Sequence, residues 1–97
     1  MRLEGKTAIV TGAASGFGAG IARRFAAEGA RVMVADLNGA GAEALAAEIG
    51  GLAQQVDVAK DASVKAMVGT AMAEWGRVDI LVNNAGVTHL PQPLEDV

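Results

Sequence analysis

The feature that most constrains this chain is an alternation. Four short segments read as strands: Thr7–Val10, Arg31–Ala35, Leu52–Val56 and Val78–Val82. Three longer segments with helical patterning lie between them, at about Gly16–Glu28, Gly39–Ile49 and Asp61–Trp75. Strand starts fall at residues 7, 31, 52 and 78, so they are 24, 21 and 26 residues apart. Consecutive strands joined through a helix and short loops run parallel, with right-handed crossovers. The order β-α-β-α-β-α-β therefore predicts an α/β layer architecture. No internal linker interrupts it, and 97 residues make a single domain spanning 1–97.

Three strand segments are nearly continuous apolar runs, as strands covered on both faces require. The third, Leu52-Ala53-Gln54-Gln55-Val56, is more polar and predicts an edge strand. The first helix places Gly18, Ile21, Ala22 and Phe25 on one face and stops at Gly29. The second is rich in alanine and ends at Gly50-Gly51. In the third, Val64, Met67, Val68, Ala71, Met72 and Trp75 recur at three- and four-residue steps, the stripe of a core-facing helix. Asp61 or Ser63 is its expected cap, and Gly76 closes it. The stretch Val87–Val97 loses periodicity, carries Pro91 and Pro93, and predicts an exposed loop.

Composition removes several function classes. Cysteine is absent, which excludes a disulfide, a thiolate nucleophile, a cysteine metal site and an iron–sulfur cluster. Tyrosine is absent too, so no tyrosine acid or base operates on these residues. The net charge is −3 and the eight basic residues are scattered, which disfavours nucleic acid as a partner. Met1–Lys6 lacks the apolar stretch of a signal peptide. The longest charge-free run, Thr7–Ala22, is short for a bilayer and contains glycines. The expectation is a soluble cytoplasmic protein with no membrane partner.

Four strand-end motifs carry the chemistry. After strand one comes Thr11-Gly12-Ala13-Ala14-Ser15-Gly16-Phe17-Gly18, and a helix begins. Gly12 permits the tight turn, Gly16 allows close backbone approach to a phosphate, and Gly18 allows close helix packing. The helix start, with its N–H groups and dipole, attracts a pyrophosphate. No lysine follows the last glycine, so this is not a nucleoside-triphosphate loop. Asp36 ends strand two, 24 residues after Gly12. A carboxylate there accepts from both hydroxyls of an adenosine ribose. It would repel a 2′-phosphate, and neighbouring Leu37 and Asn38 supply no cation, which favours NAD over NADP. Asp57-Val58 follows strand three, where a carboxylate could accept from an adenine amino group; the position equally suits a turn aspartate or a helix cap. Asn83-Asn84-Ala85-Gly86 follows strand four, with asparagines to tie down backbone and small residues to pass a flat ligand.

Together these motifs resemble the N-terminal half of a short-chain dehydrogenase/reductase. The resemblance rests on Thr11–Gly18 as the TGxxxGxG pattern, Asp36, Asp57-Val58, and Asn83–Gly86 as the NNAG pattern, and it covers nearly the whole chain. It implies a Rossmann-type doubly wound parallel sheet in strand order 3-2-1-4, with helices on both faces, truncated after strand four. By the resemblance, Gly12, Ser15, Gly16, Phe17 and Gly18 cradle ribose and pyrophosphate. Asp36, with Leu37 beside it, holds the adenosine ribose; Asp57 and Val58 contact adenine; Asn84, Ala85 and Gly86 line the nicotinamide side. The implied activity is hydride transfer between NAD and an alcohol or ketone, in an enzyme expected to be a homo-oligomer.

The family's catalytic Ser, Tyr and Lys, with a further Asn, lie beyond the NNAG segment, so no residue here is assigned a catalytic role. His89 suits a solvated loop better than a substrate contact. An unpaired apolar edge on strand four adds a physical reason to expect the cofactor half of a longer enzyme. The competing expectation is a stand-alone dinucleotide-binding module or an inactive fragment of such an enzyme.

Overall fold

The computed structural model of the chain describes residues 2–14 and 16–84. Its elements are β1 (Thr7–Thr11), α1 (Gly16–Ala27), β2 (Arg31–Asp36), α2 (Gly39–Ile49), β3 (Leu52–Gln55), α3 (Asp61–Trp75) and β4 (Ile80–Asn83). The four strands form one parallel sheet in the order β3-β2-β1-β4. Both the strand order and the polar edge strand match the sequence reading. The order of connection reverses between β1 and β4, which pair in parallel from Ala8 opposite Ile80 to Thr11 opposite Asn83. Val87–Val97 lies outside the described residues.

Pleating sends alternate strand residues to opposite faces, and two cores result. Val10, Val32 and Val34 pack against Ala19 and Ala22 of α1 and Ala42, Leu45 and Ala46 of α2. Ile9, Met33 and Ala35 pack against Met67 and Ala71 of α3. Ile9, Val10, Met33, Val34 and Met67 are almost completely buried. Each such side chain contributes roughly 1.5–3 kcal/mol by leaving water. Alanines dominate the buried faces of α1 and α2, which brings those helices close to the sheet. Met72 departs from the expected stripe. It is 45 % exposed, because α3 turns it past the edge of the core that Met67 and Ala71 enter.

Side chains fix the helix ends and strand pairings. Asn38 caps α2 by accepting from the Gly41 N–H at 3.0 Å. On α3, Lys60 is the cap residue and makes no side-chain cap bond. Neither expected cap serves there: Asp61 is already helical, and Ser63 Oγ instead accepts from the Asp57 N–H at 2.9 Å. Gly50 and Gly76 end α2 and α3 in the left-handed conformation. β4 begins two residues later than the sequence suggests, because the approach through Arg77 and Asp79 is held by side chains. The Thr7 N–H donates to Asp79 Oδ2 at 2.9 Å and Thr7 Oγ1 donates to the Arg77 carbonyl at 2.9 Å. Arg77 donates from Nε to Asp79 and from Nη2 to the Gly5 carbonyl. The Thr7 N–H, above all, holds the Asp79 carboxyl below the usual carboxylate range. Arg23 joins α1 to α2 by a two-pronged bond to Glu48, at 2.6 and 3.1 Å. Its hydrogen bonds pull the Glu48 carboxyl down.

Candidate functional site

Parallel strands bring all four motifs to one edge. Gly12–Ala14 leaves β1, Asp36 ends β2, Asp57 and Val58 follow β3, and Asn83 and Asn84 close β4. In open α/β sheets, ligands bind outside the carboxyl ends of the strands where the order reverses. Here that point is the β1–β4 junction.

The glycine-rich loop is built by close approach. Gly12 has φ +67°, which a side chain would strain. Gly18 presses α1 onto this loop: a Cβ there would meet the Gly12 carbonyl carbon at 2.7 Å and the Ala13 Cα at 2.9 Å. Gly18 thus packs the helix against the loop itself. At Gly16 a Cβ would meet nothing within 4 Å, so the start of α1 presents open ground. The first-turn N–H groups of a helix have no intrahelical acceptor, which suits such a helix start to an anion. Phe17 beside it is 83 % exposed.

Asp36 joins the loop to β2. Its Oδ2 accepts from the Ala14 N–H at 2.9 Å and its Oδ1 from the Asn38 N–H at 2.8 Å. The Ala13 N–H also reaches the Ala35 carbonyl at 3.2 Å. Two backbone donors therefore fix the carboxylate, and further lone pairs remain for a ligand. Leu37 next to it is 65 % exposed, and its carbonyl is held by Gln55 Nε2 at 3.0 Å.

The Asp57 carboxylate closes a local turn, accepting at Oδ1 from the Ala59 N–H at 3.0 Å. That realises the turn-aspartate alternative and leaves Oδ2 for a further donor. Val58 lines a cavity of about 240 Å³ with Thr11, Val64, Met67, Leu81 and Asn83. A second cavity, of about 350 Å³, lies at the opposite sheet end beside Arg31, Gly51 and Trp75, away from every motif.

Thr11 organises the end of β4. Its hydroxyl is buried and lies 3.2 Å from both the Val82 carbonyl and Asn83 Oδ1, so one proton is shared between two acceptors. The same oxygen accepts from the Asn84 N–H at 3.0 Å. Ser15, Ala85, Gly86 and His89 lie outside the described residues. Gly12, Gly16, Phe17, Gly18, Asp36, Leu37, Asp57, Val58 and Asn84 stand on the one edge.

Sequence reasoning missed the organising contacts: Thr11 to Asn84, Ala14 to Asp36, and Ser63 to Asp57. A buried threonine at a strand end is the only one of these with a legible signal. Among the described residues no helix is long and apolar enough to cross a membrane, and no group of three or more metal-ligating side chains gathers.

The residues fit a dinucleotide: an open glycine at a helix start, a fixed carboxylate on the next strand, and exposed apolar side chains beside both. Comparison with known proteins agrees. The sequence profile of the short chain dehydrogenase family matches residues 6–97. A D-threitol dehydrogenase of Mycolicibacterium smegmatis is 54 % identical over 99 % of this chain, and a sorbitol dehydrogenase of Cereibacter sphaeroides is 46 % identical over 98 %. The chain spans 38 % of the length of each. The crystal structure of a 3-ketoacyl-(acyl-carrier-protein) reductase from Brucella melitensis complexed with NADH superposes with a TM-score of 0.85 at 54 % identity. That match covers 96 % of this chain and 39 % of the reductase.

Proposed function

The chain belongs to the short-chain dehydrogenase family, and from that premise we propose that it is the NAD-binding part of an oxidoreductase. The proposed reaction moves a hydride between the nicotinamide and the carbon of an alcohol or ketone. One observation carries the reading. The Ala14 N–H, in the glycine-rich loop, is bonded to Asp36 Oδ2, so the pyrophosphate seat and the ribose-binding carboxylate form one rigid unit.

In this reading Gly12, Ser15, Gly16, Phe17 and Gly18 hold the ribose and pyrophosphate. Asp36 accepts from the adenosine ribose hydroxyls beside Leu37. Asp57 and Val58 flank adenine, and Asn84, Ala85 and Gly86 border the nicotinamide. The choice of NAD over NADP rests on Asp36, whose described partners are two backbone N–H groups and no cation. A 2′-phosphate at about 4 Å would meet a repulsion of about 4 kcal/mol per charge pair before screening.

The bound cofactor supplies or accepts the hydride. The matching proton needs a group that holds and releases it, and none of these 97 residues is assigned that role. The substrate class we propose is a small alcohol or ketone, the setting the cytoplasm, and the assembly of the whole enzyme a homo-oligomer.

Calorimetry with NADH tests the proposal. Binding by the chain, weakened in Asp36→Ala, is the expected result. A folded chain that ignores NADH would overturn it. Dehydrogenase turnover by these 97 residues alone would overturn the division of labour.

A further inference from the structure

Resting on that reading, we infer that the absence of a side chain at Gly41, opposite the Ala14 methyl group, positions the ribose-binding carboxylate, by setting how closely the glycine-rich loop and the first turn of α2 approach. A Cβ built on Gly41 would lie 2.9 Å from the Ala14 Cβ and 2.7 Å from Asn38 Nδ2. Carbon atoms pack at about 3.5–4.0 Å, so there is no room for a methyl group at position 41 unless these neighbours shift. The Asn38 amide is a side-chain tip and can swing, although doing so disturbs its cap on the Gly41 N–H at 3.0 Å. The Ala14 Cβ cannot swing, because it is fixed to the loop backbone.

Moving Ala14 has a direct consequence. Its N–H donates to Asp36 Oδ2 at 2.9 Å, while Asp36 Oδ1 accepts from the N–H of Asn38, the residue that caps α2. The hydrogen bonds Ala14–Asp36, Asp36–Asn38 and Asn38–Gly41 thus make a chain that the lack of room for a Cβ between Gly41 and Ala14 closes into a ring. A methyl group on Gly41 pushes one side of that ring and turns the carboxylate. Gly41 is a positioning residue in this scheme, and its small size is matched to an alanine at position 14.

The test is a double-mutant cycle between Gly41→Ala and Ala14→Gly, read by NADH titration, thermal unfolding and amide exchange. Gly41→Ala should weaken NADH binding about tenfold, the worth of one charge-assisted hydrogen bond. Its unfolding midpoint should fall less than that of Gly18→Ala, since the alanine helix propensity offsets part of the overpacking and the Asn38 side chain can give way. Adding Ala14→Gly should restore most of the affinity, which a general structural defect would not allow. Exchange at the residue-14 amide needs no cofactor. It should quicken about tenfold in Gly41→Ala, as expected when one hydrogen bond loosens, and recover in the double variant. Unchanged exchange together with unchanged affinity in Gly41→Ala would overturn the inference. If the parent chain fails to bind NADH, the proposed function falls, and the exchange measurement still decides the role of Gly41.

Discussion

The Thr7 N–H donates to Asp79 Oδ2 at 2.9 Å across 72 residues, and it ties the start of β1 to the approach of β4. Thr7 Oγ1 lies 3.2 Å from the same carboxylate oxygen, and Arg77 Nε lies 3.1 Å from it. Thr11 ties the other end of β1 to β4, through Val82, Asn83 and Asn84. One short strand thus holds both ends of its neighbour by threonine hydroxyls, and this fixes where the last motif stands relative to the glycine-rich loop.

The Asp79 tie gives stability a pH dependence. The Thr7 N–H and the groups around it depress the Asp79 carboxyl in the folded chain. A depressed carboxylate stabilises the fold above its unfolded value, about pH 4, and this contribution is lost as pH falls toward the lower folded value. Glu48, lowered by Arg23, acts with the same sign. Thermal midpoints of the parent should therefore drop below about pH 4, and Asp79→Asn should flatten part of that slope. Parallel midpoint-against-pH curves for the two proteins would contradict this account.

Thr11→Val should cost about 1–3 kcal/mol in urea unfolding, because the Asn84 N–H and two oxygen acceptors lose their partner in a buried place. Thr11→Ser keeps the hydroxyl and should recover most of the loss. Equal stability of the valine and serine variants would show that the hydroxyl contributes nothing.

How much of this was legible in the sequence follows from the physics of each signal. Periodicity reports burial, so β3 was readable as a polar edge strand and α2 was readable from Gly39 to Ile49. Glycine at a loop or helix end reports backbone geometry, and Gly12 and Gly76 do what their positions suggest. Caps and ties depend on which partner the fold brings near. Ser63 was readable as a cap on α3, and only the folded chain shows its oxygen turned to the Asp57 N–H. Asp36 was readable as a carboxylate at the end of β2, while its bond to Ala14 spans 22 residues and leaves no local mark. Met72 sits on the helical stripe and is still 45 % exposed, since spacing fixes an angle around α3 and not what packs there.

Two glycines of α1 should respond in opposite ways to alanine. Gly18→Ala forces a Cβ onto the Gly12 carbonyl and the Ala13 backbone, and overpacking of this kind costs about 1–3 kcal/mol. Gly20→Ala meets nothing within 4 Å, and it should gain about 0.5–1 kcal/mol from helix propensity. Urea unfolding of the two variants checks this. A tolerated Gly18→Ala would mean that the loop and helix are not in the close contact described.

Cofactor choice is the sharpest test of the role proposed for Asp36. Asp36→Ala removes the acceptor proposed for the ribose hydroxyls and releases the Ala14 and Asn38 N–H groups. Charge-assisted bonds contribute about 1.5–3 kcal/mol each, so NADH affinity should fall about tenfold to a hundredfold. NADPH loses less, because the substitution also deletes the charge that repels its 2′-phosphate. The ratio of the two dissociation constants should therefore move toward NADPH even though both ligands bind a looser loop. Raising the salt concentration should shrink the parent's discrimination more than the variant's, since only the parent discriminates by charge. Fluorescence titrations of both dinucleotides against both proteins give the four constants. An Asp36→Ala chain with the parent's NADH-to-NADPH ratio would place cofactor selection elsewhere in the fold.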